Sequence, residues 1–243
     1  VRKDYYLDDA KEILMATSTY KSNQTKTIAG EEILRKVVLV IGRLALAYLF
    51  FTQLLWKMPP TFGCPPDFAF TSGTVEGGRV QLQRTSGLCD WIGIEVVWST
   101  LPHPFFVANI DNQGKPEIAI DLGWAARLNG LFIENFVMPN IRWFGWVIWG
   151  SEAFIFISML LGLFSRLGGL VAIAMSAQLM IGLGGISTPY EWEWTYNLMV
   201  VLAIMLFGLT PGRVLGVDAW LRPRLQAAAD KGNRVARWLL WLT

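Results

Sequence analysis

The chain has 243 residues, 53% of them apolar, and a net charge of only +2. That balance argues against a nucleic-acid surface, which needs a strong positive field. A single histidine and two cysteines exclude bis-histidine haem ligation within the chain and speak against a metal cage of the usual ligand types.

Residues 1–36 are mixed in charge, with a short periodic patch at Ile13, Leu14 and Met15. They read as a cytoplasmic N-terminal arm, partly helical and ordered against a partner. Residues 37–56 form the first of four apolar blocks and contain one charge, Arg43. A hydrocarbon core of ~30 Å takes ~20 helical residues, so this block predicts a transmembrane helix. It lacks a small-residue cleavage site and starts late, which disfavours a signal peptide.

Residues 57–142 are predicted to be an extracytoplasmic insertion of short strands and loops. Pro59-Pro60, Cys64-Pro65-Pro66, the Gly73–Gly78 stretch and Asn112-Gln113-Gly114-Lys115-Pro116 are turn signals. Between them lie short apolar runs such as Ile92–Trp98 and Ile118–Ile120. Trp124–Val137 has helical apolar spacing and is expected to lie along the outer membrane surface. Cys64 and Cys89 both fall in this segment. A disulfide is the expected state, worth roughly 3–4 kcal/mol by loop entropy, with two unpaired thiols as the alternative.

Residues 143–213 hold the other three blocks: Trp143–Phe164, Leu167–Ile186 and Trp194 to about Leu209. Lipid cannot satisfy backbone N–H and C=O groups, so blocks of this length must be helices. The fold class that follows is an all-α membrane protein, a bundle of four transmembrane helices with the insertion between helices 1 and 2. Gly168, Ala172, Ser176 and Gly184 make a small-residue stripe that lets helices approach closely. Residues 214–243 alternate basic and apolar positions. They predict an amphipathic cytoplasmic tail, lying on the inner leaflet or against a neighbouring subunit.

The basic residues orient this bundle. Arg35 and Lys36 precede the first block, Arg166 lies between the second and third, and Arg213, Arg222 and Arg224 follow the fourth. The 187–194 turn has acidic residues only. The positive-inside rule then places both termini in the cytoplasm of a cell inner membrane.

Glu152 is the one charge of the second block, and an intramembrane carboxylate faces protein, a cavity or a partner. It either bonds a quinone head group or relays protons, or it is a structural carboxyl. Arg43 is its candidate partner across a depth mismatch of roughly 9 Å at ~1.5 Å rise per residue, and snorkelling to the inner surface is the alternative. Gln178 is a further polar group of the third block, either lining the same site or joining two helices.

Arg43-Leu-Ala-Leu-Ala-Tyr-Leu-Phe-Phe followed by Trp56-Lys57, the run from Glu152 to Gly162-Leu163 and Ser165-Arg166, and the sequence GLTPGRVLGVD from Gly208 to Asp218 together resemble the DoxX/DoxD family of small four-helix membrane proteins. The resemblance covers the helices and implies a membrane subunit of a quinone-linked oxidoreductase of the thiosulfate:quinone type. It implies quinone as the diffusible redox partner, no covalently bound cofactor, and other membrane subunits as neighbours. Arg43, Glu152 and Arg166 match family positions. The alternative is a non-catalytic accessory subunit of a larger respiratory or photosynthetic complex, favoured by the arm, insertion and tail. A transporter is a weaker third reading, because inverted repeats and broken apolar segments are missing.

Overall fold

In a computed structural model of the chain, the described residues are 3–71, 74–76, 79–81, 87–110, 116–184 and 193–243. The 112–115 turn, most of the 187–194 turn and part of the Gly73–Gly78 stretch therefore lie outside them. So do the side chains of Ile13, Leu14 and Met15. The chain divides into two units, Val1–Ile41 and Gly42–Thr243, and helix α1 (Lys3–Trp56) passes through both.

In the first unit, Glu32 accepts from Arg35 at 3.0 Å and pairs with Lys36 at 3.4 Å. These exposed i,i+3 and i,i+4 pairs contribute a few tenths of a kcal/mol each.

In the second unit, the end of α1 packs with α4 (Ile141–Leu161), α5 (Ser165–Leu183) and α6 (Glu193–Leu209). Leu46, Phe50, Ile155, Met159, Ala172, Ala203 and Leu206 form the buried centre. The outside is as apolar as the inside. On α6, Met199, Ala203 and Leu206 point inward, while Leu198, Val201, Ile204 and Met205 are exposed. Apolar residues on every side make sense only in lipid. Three helical stretches are long and apolar enough to cross a membrane: Gly30–Trp56, Gly123–Leu161 and Ser165–Leu183. Tyr196–Leu209 is a shorter apolar helix. The chain is a predominantly helical membrane protein.

The small-residue stripe of α5 lies at its helix contacts. Ala172 and Ser176 are fully buried, and a side chain at Gly168 would strike Ser158 and Met159. Gly169 takes the backbone of Phe207 on α6 in the same way.

The segment between α1 and α4 is more helical than the sequence suggests. Ile92–Trp98, an apolar run of the kind expected in strands, lies within helix α2 (Leu88–Trp98). Its β-branched residues favour strand only weakly, and burial overrides that preference: Leu88, Ile92, Ile94 and Trp98 are all buried. Gly93 lets α2 approach the backbone of Thr71, which a Cβ would strike. Two antiparallel hairpins account for the strands: β1 (Thr74–Glu76) with β2 (Arg79–Gln81), and β3 (Pro104–Ile110) with β4 (Pro116–Asp121). Cys64 and Cys89 are joined by a disulfide, which ties the loop after α1 to the first turn of α2.

Helix α3 (Gly123–Phe132) continues through a π-helical turn, Ile133–Val137, and a 3₁₀ turn, Met138–Asn140, into α4. The result is one apolar helical stretch, Gly123–Leu161. Pro139 explains the irregularity, since it lacks an N–H and its ring collides with the carbonyl four residues back.

After α6 the chain makes a 3₁₀ turn at Pro211–Arg213, then α7 (Val217–Asp230) and α8 (Arg234–Leu242). Asn233 caps α8 by accepting from Val235 and Ala236. Ala236 and Leu242 are buried, whereas Val235 and Trp238 are exposed.

Candidate functional site

Two polar centres stand at different places in the bundle, and the sequence-predicted residues are divided between them. The first closes the end where α4 meets α5. Asp218 is fully buried and accepts from the N–H groups of Phe164 and Ser165, each at 2.8 Å. It thereby satisfies two of the orphan donors at the start of α5. Its own N–H donates to Gly162 O at 2.8 Å, and Gly212 N donates to Ser165 Oγ at 3.1 Å.

Arg43 reaches this end. Its guanidinium donates to Pro211 O at 3.5 Å, Val214 O at 3.2 Å and Leu215 O at 3.3 Å. Gly162, with φ of 62°, has no side chain that would strike the guanidinium and the backbone of Gly216. The expected contact between Arg43 and Glu152 is therefore not made. Arg43 spends its donors on carbonyls of the turn that follows α6. Nor does it snorkel into solvent, being buried. Arg166 donates to Trp241 O at 3.4 Å, so it joins the same end to α8.

The second centre is a cavity of about 310 Å³ inside the bundle. Its walls are mostly apolar and aromatic, with Phe50, Trp91, Ile92, Phe132, Phe144 and Leu179 among them. Two groups of polar residues open on it.

One is Lys57 with Glu152, an ion pair between the residue that follows α1 and the middle of α4. Both are buried, at 7% and 2% exposure. The ammonium also sits 4.5 Å from the Trp56 ring. Lys57 bonds Glu152 Oε1, while Oε2 is buried without a hydrogen-bond partner among the described residues. Gln53 and Ser151 line the same region.

The other is Glu95 of α2, which accepts from Asn129 Nδ2 of α3 at 2.8 Å and from Gln178 Nε2 of α5. Its carboxylate occupies a notch at Gly182, where any Cβ would collide with Oε1. Among the described residues no cation bonds Glu95, and burial pushes its carboxyl up to about 7, against the opposing pull of the two amides. His103 is buried against Trp98, and its Nδ1 lies 2.9 Å from Leu101 O. Desolvation holds its imidazole below the ordinary histidine range.

The cavity thus brings Glu152 and Gln178 to one space and leaves Arg43 out. Sequence reasoning missed Lys57, Glu95, Asn129 and Asp218 as site-forming groups. Glu95 carried the same signal as Glu152, a lone carboxylate in an apolar run, but that run was read as strand. Lys57 stands one residue beyond the first block and was read as its boundary.

The arrangement suits a ring-shaped apolar ligand with polar oxygens: it has flat aromatic walls and buried donors and acceptors on separate helices. Lys57, bonded to Glu152 through Oε1 only, is the buried donor that faces this space. Among the described residues, no three His, Cys, Asp or Glu side chains come together in a way that could hold a metal.

Residues 124–242 match the family model described as "TQO small subunit DoxD". No curated protein and no solved structure matches the chain.

Proposed function

Because residues 124–242 match the DoxD family model, we propose that this chain is a DoxD-type membrane subunit of a quinone-linked oxidoreductase, with the quinone head group held in the cavity between Lys57–Glu152 and Glu95–Gln178. The observation that carries this reading is the cavity itself: apolar walls within a lipid-embedded bundle, ending on buried groups with unused hydrogen-bonding capacity. A quinone partitions into the bilayer and needs such a slot, because its ring and tail are apolar while its two oxygens want partners. Lys57 retains N–H donors beyond the one given to Glu152, and these are suited to a ring oxygen. The proposal includes four spans, with α6 as the fourth. Arg35, Lys36, Arg166 and Arg213 then face the cytoplasm across an inner membrane, and the two hairpins between α1 and α3 lie on the opposite side, with α2 packed into that end of the bundle. The chain would then work beside other membrane subunits that supply electrons.

The test is purification in mild detergent from the native membrane, with extraction of bound lipid-soluble quinone. Quinone should co-purify in near-equal amount, and Lys57→Met with Glu152→Leu should abolish it while leaving the assembly intact. Protein that carries no quinone, from a parent complex still active without this chain, would favour the accessory-subunit reading instead.

A further inference from the structure

We propose that Glu95 is a second anchor of the cavity, which binds a quinone ring in its protonated form by donating an O–H hydrogen bond to the ring oxygen distal to Lys57. This rests on the quinone reading above and adds a proton to it.

The geometry argues for it in three ways. Glu95 comes from α2, its amide partners come from α3 and α5, and the Lys57–Glu152 pair comes from α1 and α4. A ring with two oxygens can thus be held from separate helices. Both amides donate to the same carboxyl oxygen, Oε1, which leaves Oε2 as the oxygen to carry a proton. The notch at Gly182 fixes the carboxyl against α5, since no side chain stands between them.

The two carboxyl groups on this cavity also differ in their neighbours. Glu152 has a buried ammonium bonded to it, whereas Glu95 has only neutral amides. Among the described residues, the other titratable groups that line this cavity are Lys57, Glu152 and Tyr196. Lys57 and Glu152, across the cavity, are paired with each other. His103 is packed on Trp98, and Asp90, earlier on α2, accepts a hydrogen bond from the Thr71 hydroxyl. α3 and α5 present Asn129, Gln178 and Gly182. Burial without a cation places the Glu95 carboxyl at about 7, so both protonation states are populated under ordinary conditions. The second state would cost the ligand its donor and set a bare carboxylate against a ring oxygen.

The experiment is equilibrium dialysis of a short-chain ubiquinone analogue against the full chain in mild detergent, from pH 5.5 to 8.5. Affinity should be constant at the acid end and weaken about tenfold for each pH unit above the titration, because only the protonated fraction binds. Glu95→Gln keeps an N–H donor at every pH, so its binding should be flat. Lys57→Met should bind more weakly at all pH values yet keep the slope. A slope that survives Glu95→Gln, or a flat wild-type profile, overturns the proposal while leaving the quinone site standing. No binding by any form at any pH overturns the quinone reading and this one together.

Infrared titration supplies a readout independent of that variant. Wild-type protein should show a protonated-carboxyl C=O band that titrates near neutrality. Adding the quinone should move its midpoint upward, since a ligand that selects the protonated form raises that group's pKa by linkage. A band whose midpoint ignores the ligand also overturns the proposal.

Discussion

Replacing Glu152 with leucine strands the Lys57 ammonium in a place where only 7% of the residue is exposed. The ion pair is buried on both sides, and Trp56 is the nearest ring to the ammonium. Breaking such a pair from one side costs about 3–5 kcal/mol, because the remaining charge keeps its desolvation penalty and loses its partner. Removing both charges, as Lys57→Met with Glu152→Leu, discards the penalty along with the attraction. That double variant should fall within about 1 kcal/mol of the wild type. The two single variants and the double therefore form a cycle in which the singles together cost far more than the double, the mark of a coupled pair. Unfolding in a fixed detergent and denaturant series measures it. A Glu152→Leu variant no less stable than the double would refute the reasoning, since it would mean that Lys57 reaches water or another partner easily. Glu152→Gln is the intermediate case: it keeps an acceptor for the ammonium and should lose less than the leucine variant.

Glu95 gives stability a pH dependence of definite sign. Burial holds its carboxyl at about 7, above the 4.5 of an ordinary glutamate, so the fold favours the protonated form. That stabilisation is complete below about 4.5 and is lost as the pH rises through 7, amounting to about 3 kcal/mol. Stability in detergent should decline over that window, and Glu95→Gln should remove the slope. Gly182→Ala should displace the Glu95 carboxyl and weaken quinone binding more than an alanine elsewhere on α5, as dialysis would show. Asp218→Ala leaves two N–H groups at the start of α5 without acceptors and should cost about 3 kcal/mol in the same unfolding assay. Mass spectrometry of a non-reduced digest should recover linked Cys64 and Cys89 peptides, and both thiols alkylated without reduction would refute the bridge.

The bundle was legible because lipid imposes a simple rule: long apolar blocks must be helices, and the end of α1, α4 and α5 obey it. Glu152 and Gln178 were legible by the same logic, as polar groups where polarity is expensive. What stayed hidden depended on tertiary contact. The Ile92–Trp98 run has no period that separates a buried strand from a buried helix, and its packing decides. Mistaking it concealed Glu95. Arg43 was identified as a buried charge, but depth along the helix cannot choose between a carboxylate and a set of carbonyls. Two glycines of GLTPGRVLGVD have a physical account, since Gly212 and Gly216 make room for Asp218, Ser165 and Arg43.

The bonds of Arg43 also carry a cost in time. Its carbonyl partner at Val214 lies 171 positions later in the chain. At the usual pace of translation, about 5–20 residues per second, that partner is made roughly 10–30 s after the arginine. Through that interval the first helix carries a cation without these partners, and only the turn after α6 can supply them. Any factor that attends its folding has the most to do before that moment, and a truncation that stops short of Val214 would release a chain that holds α1, α4, α5 and α6 but lacks the carbonyls of Val214 and Leu215.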